Sequence, residues 1–408
     1  MDFAYPDHVL ALRARLQTFI EAHVWPATAA YEAEVAAHRY PEALLDGLKA
    51  KAKAEGLWNL FLPALHDSEP GTKLTNLEYA PLAEIMGRLP WASEVFNCSA
   101  PDTGNMEILH LFATPEQRER WLLPLMHGDI RSSVGITEPG VASSDPTNLE
   151  CTIRREGDHY VINGRKWFNT GALHPKWAFC LVMGVTNPDP AAPKHARHSF
   201  VIVPKGTPGF RVVRDVPILF HHAPDGHCEL EFTNVRVPVA NLLGEENAGF
   251  AIAQARLGPG RIHHCMRTIG QCEYALELMC ERALSRVTFG KALSENANIQ
   301  DWIAEARIGI DQARLLNLKA AWTMDKFGNK AARIEVSAIK VVAARLQTRV
   351  TDLAMQVFGA AGLTPDTPLA YLYVWGRALR YIDGPDEVHL RGIAREELKA
   401  AKSRLAAK

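Results

Sequence analysis

The chain has 408 residues, 47% hydrophobic and 22% charged, which is an ordinary globular composition and too long for one core, so two or three packed domains are expected. Lys+Arg 45 against Asp+Glu 46 leaves a net charge of −1, which excludes the global basic field of a dedicated nucleic-acid binder. No apolar run is long enough to span a membrane, the first residues have no export signal, and seven scattered cysteines suggest neither a disulfide framework nor a CxxC metal site, so a reducing cytoplasm is expected.

Residues 1–130 read as helices punctuated by prolines. Val9, Leu12, Leu16, Phe19 and Ile20 recur at helical spacing up to Pro26, and Pro41 suits a first turn ahead of Leu44, Leu45 and Leu48. Thr114-Pro115-Glu116-Gln117 is a capping-box pattern and predicts a helix containing Trp121 and Leu122.

From 131 to 243 the period becomes two, the mark of a β domain. Cys228, Leu230 and Phe232 alternate with Glu229, Glu231 and Thr233, while Trp177 to Val185 is an apolar run suited to a buried strand. Asn163-Gly164 after Tyr160-Val161-Ile162 predicts a hairpin turn, and Asn187 to Pro193 an exposed loop.

From 244 to 408 helical periodicity returns. Ile269, Cys272, Leu276, Met279, Ala283 and Val287 form one stripe, and Ile339, Val342, Leu346, Val350, Leu353 and Val357 another, which predicts a bundle. The fold class is therefore α+β, mainly α: an N-terminal helical domain (1–130), a middle β domain (131–243) and a C-terminal helical bundle (244–408). No GxGxxG follows a strand and no GxxxxGK[ST] occurs, so a nucleotide cofactor must be held by other means.

Five segments carry residues suited to chemistry. Val134 to Asp145, Val-Gly-Ile-Thr-Glu-Pro-Gly-Val-Ala-Ser-Ser-Asp, offers backbone N–H groups and hydroxyls to a planar polar ligand or a pyrophosphate, or is a linker of turn formers. Asn163 to Gly171 sets Trp167 and Phe168 beside Thr170, either walling a flavin ring or filling a hairpin core. In Arg282 to Lys291, Arg286 suits phosphate and Phe289-Gly290 a turn against a cofactor, with a solvated helix end as the plainer reading. Gln356 to Gly362 closes a helix with small residues and one amide. Tyr381 to His389 holds three carboxylates and a histidine, which could be a metal site, a base in a loop, or an acidic turn opening the last helix; Gly384-Pro385 argues for a loop.

In this order and at these separations, TEPxxxSSD, the NGxKxW-like segment, RxxFG and QxFGxxG resemble the acyl-CoA dehydrogenase family over essentially the whole chain. Arg256 to Arg267 and Asp383 to Leu390 (DGPDEVHL) resemble the subgroup that in animals is fused to an aminoglycoside-phosphotransferase-like kinase domain. The resemblance implies a helical domain, a β domain and a four-helix bundle, a homodimer or homotetramer, FAD as cofactor, an acyl-CoA substrate, an electron-transfer flavoprotein as acceptor, and no metal, nucleic acid or membrane.

By position it implies that Val134, Ile136 and Thr137 lie along the flavin and that Ser143 and Ser144 serve its phosphate side or, for Ser144, the CoA arm. Phe168 matches the flavin-stacking residue and Thr170 the hydroxyl near N5, while Arg286, Phe289, Gln356 and Gly359 reach the FAD of a neighbouring subunit. Arg261 and Gly384 belong to the substrate site. Asp383 takes the place of the catalytic glutamate, abstracting the thioester α-proton while the β-hydrogen leaves as hydride to flavin N5 and 2-enoyl-CoA forms.

Three positions depart from the family pattern. Asp383 is one methylene shorter than glutamate, Pro385 replaces a threonine, and Asn296-Ala297 stands for a His-Gln pair, with Gln300 as a substitute. The alternative base position holds Gly260. His263 and His264 read as core or interface histidines, or as anion recognition on the acyl group. Competing readings are a 4-hydroxy- or 4-phosphooxy-acyl-CoA substrate, a flavin oxidase, and, from another class, a nucleic-acid-associated flavoprotein.

Overall fold

The computed structural model describes residues 4–407. Each change of hydrophobic period in the sequence is a change of secondary structure. Contacts divide the chain into two units, one built from residues up to Ile20, Leu74–Ser93 and from Gly258 onward, the other from Glu21–Lys73 and Glu94–Leu257.

The Glu21–Lys73 and Glu94–Leu257 unit is organised on an eight-stranded sheet. Its strands are β1 (Arg131–Gly135), β2 (Thr152–Glu156), β3 (His159–Thr170), β4 (Trp177–Val185), β5 (His198–Pro204), β6 (Phe210–Arg214), β7 (His227–Pro238) and β8 (Leu242–Leu243). They run in the order β6-β7-β3-β2-β4-β5-β8, with β1 pairing in parallel with β4. The apolar run 177–185 is buried along nearly all its length because it is β4, flanked by β1 and β5. Ile153, Tyr160, Ile162, Val182, Val201, Leu230 and Phe232 share one core.

Thr114 forms the capping box: its hydroxyl accepts from the Gln117 N–H, and the Gln117 side chain accepts from the Thr114 N–H. The helix Asp102–Phe112 is tied to β1 by its first residue, since the buried Asp102 carboxylate accepts from Ser132 N–H at 2.8 Å and pairs with Arg131 Nε at 2.6 Å.

Asn163-Gly164 is not a hairpin turn. Both residues lie inside β3, where the pairing with β7 shifts register between Ile162 and Gly164, and the two-residue turn is Gly157-Asp158, between Glu156 and His159. Asn163 Oδ1 accepts from Asn234 N–H at 2.8 Å, and a Cβ on Gly164 would lie 2.8 Å from Cys151, so the Asn-Gly pair serves a bulge at a close approach.

The other unit is helical. Asp7–Phe19 packs on Asn76–Gly87, which packs on Ala297–Phe327; Arg333–Phe358 then contacts Ala297–Phe327, Leu369–Leu379 and Asp386–Ala406. The Gly249–Ser285 helix buries Ile269, Cys272, Leu276, Met279 and Ala283 as expected, but Val287 is exposed because the helix ends at Ser285 and a short hairpin follows. On Arg333–Phe358 the buried face is rotated from the apolar stripe: Val342 is exposed, whereas Lys340, Gln347 and Thr351 are buried. Among the described residues no helix is long and apolar enough to cross a membrane. All seven cysteines are free thiols.

Candidate active site

In the helical unit the site is built around the loop 380–385. Asp383 has a left-handed backbone (φ 56°), and the loop that carries it is held from several sides. Arg261 Nε–H donates to the Asp383 carbonyl at 2.9 Å. The buried Lys340 ammonium donates to the Leu379 carbonyl, one residue ahead of the loop. On the far side the buried Asp386 carboxylate accepts from Arg380 at 2.9 Å and Arg345 at 3.0 Å. These contacts hold Asp383 in a conformation that is costly for a residue with a side chain.

The Asp383 carboxylate itself faces His264, with Oδ2 3.8 Å from Nε2, and a Cβ on Gly260 would lie 3.7 Å from the same oxygen. His389 lies under Gly384, its Nε2 3.1 Å from where a Cβ of that glycine would be. Burial, followed by the charges of Arg261 and Lys340, pushes the His389 imidazole down to about 4. Burial also holds Lys340 and Arg261 below their ordinary ranges, against the opposing pull of the Asp383 charge. The structure thus brings Arg261, His264, Asp383 and Gly384 together. His263 goes elsewhere: it is buried, edge-on to the Tyr79 ring at 5.1 Å, a core histidine.

Arg286 and Phe289 lie on the hairpin Val287–Thr288 and Lys291–Ala292, whose turn is Phe289-Gly290 with φ of 49° and 81°. Both side chains are exposed, Phe289 completely. Gln356 and Gly359 are exposed at the end of Arg333–Phe358, and Arg282 lies over the Phe358 ring at 5.2 Å, which ties that helix end to the base of the hairpin.

In the β-sheet unit, β1 runs out through Val134 into Ile136 and Thr137. The Thr137 carbonyl accepts from Trp167 N–H at 3.0 Å, which sets this segment beside Trp167 and Phe168. Phe168 sits at the second irregularity of β3, with φ 54°, and is turned outward. Its ring packs on Trp167 at 4.6 Å, and Trp167 Nε1 is buried without a hydrogen-bond partner. Thr170 Oγ1 is 2.9 Å from Nδ1 of buried His227, whose imidazole burial pushes down to about 4. Ser143 Oγ accepts from Glu138 N–H at 2.9 Å within its own loop, whereas Ser144 is exposed.

Three supporting groups join these residues, of which Lys166, the lysine of the NGxKxW-like segment, is the one marked in the sequence. Lys166 Nζ, wholly buried, donates to Glu138 Oε1 at 2.7 Å and to the Ile136 carbonyl at 2.9 Å, and Glu138 also accepts from Glu150 and Cys151 N–H. Lys340 and His227 are the others. A charged residue at an inward position of an alternating strand signals Lys166, whereas nothing local marks Lys340, which reads as an ordinary helix lysine.

Three family models match in succession: acyl-CoA dehydrogenase N-terminal domain over residues 6–129, middle domain over 133–235 and C-terminal domain over 247–398. The chain is 55% identical, over all of its own length and 99% of the relative's, to a Mycobacterium tuberculosis protein assigned as acyl-CoA dehydrogenase FadE2. It is 51% identical to mouse acyl-CoA dehydrogenase family member 10 over 96% of this chain, which spans only 37% of that longer protein. A solved Mycobacterium abscessus structure assigned as an acyl-CoA dehydrogenase is 49% identical and superposes with a TM-score of 0.92, covering 98% of this chain and 100% of that one. With its helical and β segments in the same order, this chain belongs to the acyl-CoA dehydrogenase family of flavin-dependent, FAD-using oxidoreductases.

Proposed function

We propose that this protein converts an acyl-CoA to the 2-enoyl-CoA, with Asp383 as the base for the α-proton. One observation carries the reading: the loop backbone is locked by Arg261, Lys340 and Asp386 so that Asp383, in a strained left-handed conformation, turns its carboxylate toward Gly260 and His264.

The residues present fit FAD. Phe168 turned outward beside a Trp167 N–H that lacks a partner suits the face and edge of a polar ring, with Val134, Ile136, Thr137 and Thr170 in the same unit. Exposed Arg286 with Phe289, Gln356 and Gly359 suits the phosphate and adenosine portion of an FAD held by a neighbouring copy. Ser143 shapes its loop, leaving the Ser144 hydroxyl for a phosphate or the CoA arm. When bound, FAD supplies the acceptor for the hydride that leaves the β-carbon, and an electron-transfer flavoprotein takes the electrons onward.

The chain's own work is proton transfer and positioning. A thioester α-proton is weakly acidic, so the base must be held within reach of it. Asp383 Oδ2 takes that proton, Arg261 keeps the loop backbone in place, and Gly260 leaves room for the acyl chain where a larger residue would meet the carboxylate.

A plain acyl-CoA is the favoured substrate; a 4-hydroxy- or 4-phosphooxy-acyl-CoA is the second reading, on the resemblance of segment 383–390 to one subgroup of the family. Anaerobic titration of the yellow protein with a panel of plain and 4-substituted acyl-CoAs tests both levels of the proposal. Bleaching of the flavin by plain acyl-CoAs is expected, and bleaching by the 4-substituted members alone favours the second reading. Protein that cannot be loaded with FAD, or flavin that no acyl-CoA bleaches, overturns the assignment.

A further inference from the structure

Away from these segments, in the β-sheet unit, the turn after Leu65 and the helix Asp102–Phe112 bring His66, Glu69 and His110 together. Their donor atoms all lie within 4.8 Å of one another. The His110 side chain is 6% exposed and that of Glu69 4%, while His66 stands at the surface.

The contacts already made leave one gap. Arg118 Nη2 donates to Glu69 Oε1, and the His66 backbone N–H donates to Oε2 at 2.9 Å. The His110 Nδ1 is buried without a hydrogen-bond partner, 3.5 Å from Glu69 Oε2. An imidazole nitrogen and a carboxylate oxygen thus face each other across a buried space with no hydrogen bond between them, an arrangement that a cation held by both would satisfy.

The spacing suits that cation. Ligands bound at about 2.0–2.1 Å around a tetrahedral ion are separated by about 3.4 Å, close to the 3.5 Å between Nδ1 and Oε2 here. The exposed His66 ring, centred 4.8 Å from the His110 ring, closes the third position by a change of rotamer.

We propose that His66, Glu69 and His110 bind one divalent transition-metal ion of the zinc class, with water in the fourth position. Two imidazole donors with a single carboxylate suit zinc, cobalt or nickel rather than magnesium or calcium, which take mainly oxygen ligands. Arg118 stays on the far carboxylate oxygen and anchors it. The ion fastens the turn holding His66 and Glu69 to the helix Asp102–Phe112, independently of the flavin chemistry proposed above.

Chelator-treated holoenzyme titrated calorimetrically with Zn²⁺ at neutral pH, alongside His66→Ala and His110→Ala, tests the site. We expect one ion per chain, a raised melting temperature on binding, and a loss of about 100-fold in affinity in each variant. His66→Ala removes an exposed side chain and so keeps the fold; Co²⁺ in place of Zn²⁺ gives the visible absorption of a tetrahedral site in wild type only. The protein has 16 histidines, so binding that His66→Ala leaves unchanged belongs elsewhere and overturns the proposal. No stoichiometric uptake by the wild type, the result if a proton rather than a metal fills the gap, overturns it equally.

Discussion

Arg261 Nε–H donates to the backbone carbonyl of Asp383 at 2.9 Å, so a residue of the Gly249–Ser285 helix fixes the main chain of the residue proposed as the base. Asp383→Asn keeps that contact and the side-chain volume while removing the base. FAD content and fold should persist, and flavin reduction by acyl-CoA in stopped flow should slow by about 10²–10⁴-fold. Asp383→Glu should also slow it, because the added methylene drives the carboxylate toward His264, whose Nε2 is already 3.8 Å from Oδ2. A Glu variant at the wild-type rate would show that the loop has room for the longer acid, and an unimpaired Asn variant would assign the proton to another group.

Arg286→Ala should weaken FAD retention. The exposed guanidinium on the Phe289-Gly290 hairpin is suited to a charge-assisted phosphate contact, so its loss should cost about 1.5–3 kcal/mol, or roughly 10- to 150-fold in affinity. Equilibrium dialysis of FAD measures it; equal affinity in the two proteins would leave Arg286 as a solvated charge.

Lys166→Met should destabilise the β-sheet unit by about 3–5 kcal/mol, because Glu138 is then buried without its counter-charge. The double variant Lys166→Met/Glu138→Gln should recover part of the loss. Urea unfolding followed by tryptophan fluorescence reads both, and a single variant as stable as wild type would contradict a buried ion pair at this position.

Acid should act through His227. Its imidazole is pushed down to about 4 in the folded protein by burial, which outweighs the opposing Asp215 charge and adds to that of His221, against 6.5 when unfolded. Between these values the unfolded chain binds more protons, so stability falls as pH drops from about 6.5 toward 4 and is unaffected above that window. The contribution amounts to roughly 3 kcal/mol at its limit. His227→Gln should therefore reduce the pH dependence of urea unfolding between about pH 6.5 and 4.5 while His389, also pushed down to about 4, keeps its share; an unchanged slope would place the titration elsewhere.

The sequence by itself determined the class of each element and several of its ends, because these depend on neighbours along the chain. Period two and period 3.6 separate strand from helix, Thr114 and Gln117 lie one helical turn apart in a capping box, and Phe289-Gly290 marks a tight turn. Only the tertiary structure decided which polar residues meet. Asn163-Gly164 has the chemistry of a turn, yet β7 pairs across it and makes it a bulge. His263 and His264 are adjacent, but successive helix residues point about 100° apart, so one enters the core beside Tyr79 and the other faces Asp383. Lys340 and Leu379, Arg261 and Asp383, and His110 and Glu69 lie far apart in sequence. Hydrophobic periodicity records that an element has a buried face, on Arg333–Phe358 only approximately which, and carries no record of the element that covers it.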